Sequence, residues 1–544
     1  MARRRALATA VLLSLLAVSG AGGTPAQTPK RGGTVVVART PALEPACLNV
    51  FVDACGDAFL LLGEVLGGAF VVTPSATFRP NLVSRVEIVS KQPFTLHYHI
   101  RPEARWSDGV PVTASDFVFT DRVIRKYRPV FSDDHRARVR SVRALDAKTV
   151  RVVLRAAYPD WRFFFERVLP RHALVGRDFG SLWKDAIDDP RTARPIGSGP
   201  FLVERFERGK QLTLVRNPRY WGPHTAYLDR LVWRFVPPAD TAEALRRGEV
   251  DMIDPGPAVL QAAALELRRE RAPGIRVLSV LGQSWEHFDI RIGEGGHPAL
   301  EKRLVRQALA YGIDRVGIAR AIGKLSGESE AALEPLDSVV FLANSPYYQP
   351  SWKGYRHRPA QARRLLEQAG CRRGEDGIYS CAGERLSLRF ATAAGVERRQ
   401  RTVELAQAQL RQIGVEVRPV YARPAILFDT IIPSGGFDLA LFAWILSAST
   451  SGPSDIFRCR GPVNYTGYCS RLVTRDLVQA TRIIDDERRV RLLNRIDVRL
   501  AKAVPAIPLF QGTGLFAFKA TIRGIVPNGA GHFAWNAENW WLER

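Results

Sequence analysis

The side chains best equipped for chemistry in this chain build no recognisable catalytic arrangement. Ser181-Leu182-Trp183-Lys184 has the Ser-x-x-Lys spacing that lets a lysine activate a serine hydroxyl, but the companion motifs are missing, since Lys148-Thr149 is followed by Val150 and not glycine. Gly323-Lys324 lacks both the upstream glycine and the following hydroxyl of a phosphate-cradling loop. Neither Gly-x-Ser-x-Gly nor His-Glu-x-x-His occurs. A triad assembled from distant residues stays open. His97 and His99 alternate with apolar neighbours, so they share one face of a strand and could chelate a metal if a third ligand approached. A polar, solvent-side face is the other reading, and nothing nearby completes a site. No catalysis, no metal and no cofactor are expected.

The six cysteines fall as three local pairs: Cys47 with Cys55, Cys371 with Cys381, and Cys459 with Cys469. Three disulfides are expected, each worth roughly 2–3 kcal/mol for so short a loop. Zinc is the rival, but no Cys-x-x-Cys and no histidine at finger spacing accompanies them.

Disulfides require an oxidising compartment, and the N-terminus supplies a route to one. Arg3-Arg4-Arg5 precede an apolar run from Ala6 to Val18 and then small residues, the pattern of a signal peptide over residues 1–26 with cleavage near Ala21 or Ala26. The run is short for a membrane span. Cys47 lies too far from it for a lipoprotein signal, so a free periplasmic or secreted protein, not a lipid-anchored one, is expected.

With 544 residues, 46% hydrophobic and 24% charged, the chain is a soluble globular protein of about two to four domains. Its net charge is +24, which admits nucleic acid, anionic lipid or an acidic solute as partners. The basic residues are scattered among acids, however, with no aromatic residues interleaved in one tract, so a solvated arginine-rich surface and no nucleic-acid partner are expected.

The elements alternate. Thr34–Ala38 reads as a buried strand; Phe94, Leu96, Tyr98 and Ile100 line one face of another; Thr113 and Asp116 form a capping box ahead of a helix. Residues 140–154 read as a strand pair and Trp161–Leu169 as a helix. Residues 201–215 alternate around the turn 207–210 and read as a hairpin that Asn217-Pro218 stops. Gly197-Ser198-Gly199-Pro200 ahead of it suits backbone angles closed to other residues. Asp240–Arg247 reads as a helix with a capping box of Asp240 and Glu243. Further helices are expected at Leu300–Leu309, Pro359–Ala369 and Thr402–Ile413, with strands at Leu386–Ala391, Val415–Tyr421 and Phe437–Ser447. Alternating β and α elements argue for a parallel or mixed sheet covered by helices.

Ile196–Gly222, with Gly199-Pro200 and Arg216-Asn217-Pro218-Arg219-Tyr220-Trp221-Gly222, resembles the signature of the family 5 extracellular solute-binding proteins, the receptors of peptide, nickel and related ABC importers. Segments in the same order strengthen the resemblance: Arg31–Ala38, Phe94–Phe119 around Trp106-Ser107-Asp108-Gly109, Leu228–Ile253, Val305–Arg315 and Val504–Leu509. The resemblance implies an α/β, two-lobed periplasmic-binding-protein type II fold with an extra inserted domain. Lobe I would comprise residues 30–75, 190–284 and 510–544, the inserted domain 76–189, and lobe II 285–509. It further implies a monomer that captures a peptide or similar organic solute between its lobes and delivers it to an ABC permease, catalysing nothing. A secreted hydrolase on a similar scaffold and a basic polyanion-binding protein are the alternatives.

It also nominates ligand-contacting residues. Trp285, His287 and Asp289 lie in the segment the resemblance places at the cleft, with Asp289 where the family has asparagine. Trp444, Ser447 and Ser449 lie on or after the apolar run 437–446. Peptide-binding members carry an aspartate at the position of Ser447, where it pairs with the α-amino group of the peptide; a hydroxyl cannot make that charge-assisted bond. Trp285 and Trp444 are either cleft aromatics or core residues. His287 leaves open binding of a nickel complex.

Overall fold

The computed structural model describes residues 28–52, 55–129, 132–256, 258–325, 334–446 and 449–543. The signal peptide expected at 1–26 lies outside them.

Ten strands form one mixed sheet: β1 (Thr34–Arg39), β2 (Phe201–Glu207), β3 (Gln211–Arg216), β4 (Arg230–Phe235), β5 (Met252–Ile253), β6 (Ile275–Ile290), β7 (Ser387–Ala393), β8 (Glu416–Ala422), β9 (Leu439–Ile445) and β10 (Ala506–Lys519). Their spatial order is β2-β3-β4-β1-β5-β10-β6-β9-β7-β8. The apolar, β-branched β1 is parallel to both β4 and β5, with Val35, Val37 and Ala38 fully buried, as a strand covered on both faces requires. The hairpin β2–β3 runs from the pair Phe201 and Arg216 to Glu207 and Gln211, with a register shift between Val203 and Arg205.

The glycines ahead of that hairpin serve a different purpose from the one expected. Neither Gly197 nor Gly199 has a positive φ. Instead, a Cβ on Gly199 would sit 2.0 Å from the Glu64 carbonyl oxygen and one on Gly197 2.6 Å from that of Val65, so close backbone approach excludes any side chain.

β6 and β10 span 16 and 14 residues and run through two separate hydrophobic cores. Leu278, Val280, Phe516 and Phe518 belong to one, which also holds Trp106, Phe117, Phe165 and Trp233; Trp285, Phe288, Ile507 and Leu509 belong to the other, with Leu309, Phe390 and Leu410. Between them the register of β6 on β10 shifts from Leu281 to Trp285. Gln511 holds this crossing, donating to Gly282 O (2.6 Å) and Asn344 Oδ1 (3.0 Å) while accepting from Ala343 N.

A separate antiparallel sheet of four strands, Val83–Lys91, Phe94–Ile100, Thr149–Leu154 and Val139–Ala144, packs against α1 (Ala114–Tyr127). The capping box is formed: Thr113 N donates to Asp116 Oδ2 at 2.8 Å. The second one is not. The helix at Thr241–Arg247 receives no side-chain cap from Asp240, and Glu243 pairs instead with Arg246 and Arg247 one turn on.

The helix expected at Trp161–Leu169 is also overturned: only Trp161–Phe163 forms a 3-10 turn. Phe165 has φ +59°, and the segment's hydrogen bonds go to a distant one, Ala69 N to Phe165 O (2.8 Å) and Val168 N to Gly67 O (3.0 Å). Gly68 permits this, since a Cβ there would meet the Glu166 carbonyl at 2.2 Å.

In the second core, α2 (Arg303–Gly312) and α3 (Glu397–Gln412) cover the sheet, and α4 (Asp486–Ala503) packs nearby. α3 begins five residues before the expected Thr402. All three expected disulfides are formed.

Candidate functional site

The irregular segment 158–167 faces Ile445, Leu446 and residues 449–455 at and beyond the end of β9, and with Ile124 and residues 132–135 they line a cavity of about 350 Å³. The second side runs from the end of β9 into the start of the helix Gly452–Phe457, so the cavity sits where regular elements end, as contact residues on a rigid scaffold do.

Asp160 joins the two sides. Its carboxylate is almost fully buried, and it accepts hydrogen bonds from Ser449 Oγ (2.7 Å), Thr450 N (2.9 Å), Thr450 Oγ1 (3.0 Å), Ser451 N (3.1 Å) and Ser451 Oγ (2.6 Å). Two backbone amides and three hydroxyls thus satisfy a charge that burial alone would penalise. The partners are some 290 residues apart in the chain. Arg162 approaches Asp486 of α4 at 3.5 Å beside this clasp. Tyr158 lines the cavity and donates its hydroxyl to Asp134 Oδ2 at 2.6 Å.

Glu166 is the cavity's unusual group. Burial pushes its carboxyl up to about 7, opposed by the charge of Arg167. The Arg167 guanidinium points elsewhere, donating to Glu166 O (2.7 Å) and Phe59 O (3.0 Å) while lying over the Phe59 ring. His135, also at the cavity, is held by Asp121 Oδ1 at 2.8 Å, and burial depresses its pKa despite that carboxylate.

The residues nominated from the sequence are divided by the structure. Strand alternation puts Trp285, His287 and Asp289 on one face of β6, where pairing with β9 sets them opposite Trp444, Phe442 and Ala440. All three are fully buried, and none lines the cavity. The His287 ring lies 4.5 Å from that of Trp285 and 4.6 Å from that of Phe442. His287 Nε2 is 3.2 Å from Asp289 Oδ1, yet neither ring nitrogen and neither Asp289 oxygen makes an aligned hydrogen bond with a described protein group. Trp444 is half-buried and stacks on Tyr465 at 5.7 Å with the planes 7° apart. Ser449 lines the cavity and bonds to Asp160. Ser447 lies outside the described residues.

Glu286, on the opposite face of β6, pairs with Arg398 (2.6 Å) and Arg399 (3.0 Å) from the first turn of α3. Although burial raises its pKa, the two guanidiniums outweigh it and hold the carboxyl below the usual range. His97 and His99 stay on the four-stranded sheet, His99 3.5 Å from Glu87, and no group of three metal-ligating side chains occurs among the described residues. Asp160, Tyr158 and Glu166 were not nominated from the sequence. The signal available for Glu166 was a charged pair, Glu166-Arg167, set inside the run Phe163-Phe164-Phe165 and Val168-Leu169.

Residues 77–462 match the family model described as bacterial extracellular solute-binding proteins, family 5. The oligopeptide-binding protein OppA of Mycobacterium tuberculosis is 28% identical over 480 residues, covering 86% of this chain and 78% of its own. Among solved structures, a substrate-binding protein of an ABC transporter from Listeria monocytogenes, CtaP, aligns with a TM-score of 0.76 at 20% identity over 95% of this chain and 100% of its own. The periplasmic EDTA-binding protein EppA aligns with a TM-score of 0.75 at 23% identity over 95% and 98%. These likenesses give the α/β fold as the two-lobed type II kind. The family match spans more than two thirds of the sequence, and the chain belongs to the bacterial extracellular solute-binding proteins, family 5.

Proposed function

We propose that this protein is the exported receptor of an ABC importer, capturing a peptide or similar organic solute between two lobes and handing it to the membrane permease without chemical change. In this reading lobe I is 30–75 with 190–284 and 510–544, the inserted domain is 76–189, and lobe II is 285–509. The mature protein acts as a free monomer in the periplasm or outside the cell. One observation carries the proposal: Asp160, from the inserted domain, is clasped by residues 449–451 of lobe II beside the cavity. A contact of that kind exists only when the lobes are together, so it fits a closed receptor whose hinge is the crossing at Gly282 and Gln511.

Ser449 stands at the mouth of the solute site. Trp444, stacked on Tyr465, and the sealed Trp285, His287 and Asp289 stiffen the strands that lead to it. The M. tuberculosis relative is named for oligopeptides and the EDTA-binding structure for a chelator, so the shared fold leaves the solute to the cavity's own side chains.

The test is mass spectrometry of small molecules released on denaturing protein purified from its export compartment, paired with small-angle X-ray scattering with and without the recovered solute. A bound solute and a compaction of the particle on adding it back are expected. Turnover of the solute, or saturable binding without compaction, would overturn the receptor reading.

A further inference from the structure

We propose that the cavity selects a positively charged group on its solute, an ammonium or guanidinium joined to an apolar body, and that the Glu166 carboxylate is the residue that takes it. The inference rests on the cavity being the solute site. The charged side chains lining it are Asp134, Glu166 and Asp455 against Arg167 and His135. Both cationic candidates are otherwise engaged: the Arg167 guanidinium donates to two carbonyls, and His135 is bonded to Asp121 and held neutral by burial. Asp134 already accepts from the Tyr158 hydroxyl. Among the described residues no donor reaches the Glu166 carboxylate, although Asp160, six residues earlier, receives hydrogen bonds from Ser449, Thr450 and Ser451.

Proteins rarely leave a half-buried carboxylate without a donor unless a donor arrives from outside. A neutral solute could donate a hydrogen bond but would leave the cavity's excess of carboxylates uncompensated, and an anionic one would add to it. An organic cation supplies both donor and charge, while Tyr158, Phe163, Ile445 and Leu446 offer its body aromatic and aliphatic contact. The charge of the whole chain, +24, points the opposite way, so the cavity's negative lining is local and not an echo of composition.

Binding of a cation needs the ionised carboxylate, so affinity rises with pH as Glu166 loses its proton near 7, and levels off near pH 8, where a peptide's own ammonium begins to lose its proton. The other charged groups around the cavity are Arg167 on the segment of Glu166, Asp134 and His135 on the helix Asp133–Arg138, Asp455 on the opposite side, and Glu64 behind Arg167. Any pH dependence that survives in Glu166→Gln belongs to them or to the peptide.

The experiment uses isothermal titration of the full mature protein with a mixed library of apolar tri- to pentapeptides, unmodified and N-acetylated, at pH 5.5 and 8. The unmodified library binds at least tenfold more tightly than the acetylated one at pH 8. Glu166→Gln lowers its affinity about 10- to 100-fold, the loss of a charge-assisted bond, and removes the difference between the two libraries. Glu166→Asp, which keeps the charge, retains the preference for the unmodified library. Equal binding of both libraries, or an unchanged preference in Glu166→Gln, overturns the proposal. If neither library binds, the solute recovered by mass spectrometry decides. A cationic solute whose affinity falls in Glu166→Gln supports the proposal; a neutral or anionic one overturns it and leaves the receptor reading intact; no solute of any kind ends both.

Discussion

Replacing Asp160 by alanine should loosen closure without unfolding either lobe. The carboxylate receives donors from Ser449, Thr450 and Ser451, two through backbone amides and three through hydroxyls. Taken singly, each hydrogen bond to a charged group is worth about 1.5–3 kcal/mol. They share one carboxylate and one ordered loop, so they do not add, and the freed donors regain water when the lobes part. Removing a buried charged partner typically costs about 3–5 kcal/mol, and the lower end applies because the charge leaves with the side chain. About 3 kcal/mol taken from the closed form alone shifts the equilibrium toward open by roughly 150-fold and lowers apparent solute affinity by up to that factor. Titration calorimetry should find the loss, and small-angle scattering should find Asp160→Ala more extended at a solute concentration that closes the wild type. Coupling in a double-mutant cycle with the triple change Ser449→Ala, Thr450→Ala and Ser451→Ala should be large, since both arms remove one contact. An affinity within threefold of wild type together with an unchanged scattering curve would refute the clasp as a closure device.

Glu166→Gln should stabilise the solute-free protein at pH 8 but not at pH 4.5. Its folded pKa is raised to about 7, so the ionised form is penalised in the fold; that penalty is absent below about 4.5, grows through 4.5–7 and is complete above, where, discounted for partial exposure, about 1–2 kcal/mol should appear as a higher Tm for the variant. Glu286→Ala should cost about 3 kcal/mol in denaturant unfolding, because it strands the mostly buried Arg399 guanidinium, while Glu286→Ala combined with Arg399→Leu should recover part of the loss. Gly199→Ala should cost about 3 kcal/mol or prevent export of folded protein, since its methyl group would sit 2.0 Å from a backbone oxygen of Glu64 that cannot yield, whereas Gly209→Ala, at a turn with open space around it, should cost about 1 kcal/mol.

Local signals carried much of the fold. β1 could be read from Thr-Val-Val-Val-Ala, α1 from the Thr113 and Asp116 box, and the β2–β3 hairpin from alternation around the turn 207–210, because each depends on residues within a turn or two of one another. The segment 161–169 misled for the converse reason. Its apolar run without proline satisfies a helix locally, but its amides and carbonyls find partners in residues 67–69, where Gly68 lets the chains touch. Trp285, His287 and Asp289 show the same limit from the other side. The resemblance nominated them as cleft residues, but nothing within the segment could say that β9 and β10 flank it and that the face they share is sealed.

The cavity is non-local by construction, since its lining joins side chains such as Glu166 and Ser449 that the sequence keeps far apart. Composition misleads there for a related reason. A net charge of +24 describes the field far from the surface, where scattered arginines sum, and so invites an anionic cargo. Within a few ångströms of the cavity, three carboxylates face a guanidinium turned away and an imidazole held neutral, and at that range in a partly desolvated site the nearest charges outweigh the distant sum. Raising the salt concentration therefore separates the two scales: nonspecific adsorption to polyanions should fall steeply between 50 and 200 mM salt, while peptide affinity that depends on Glu166 should change only a few-fold.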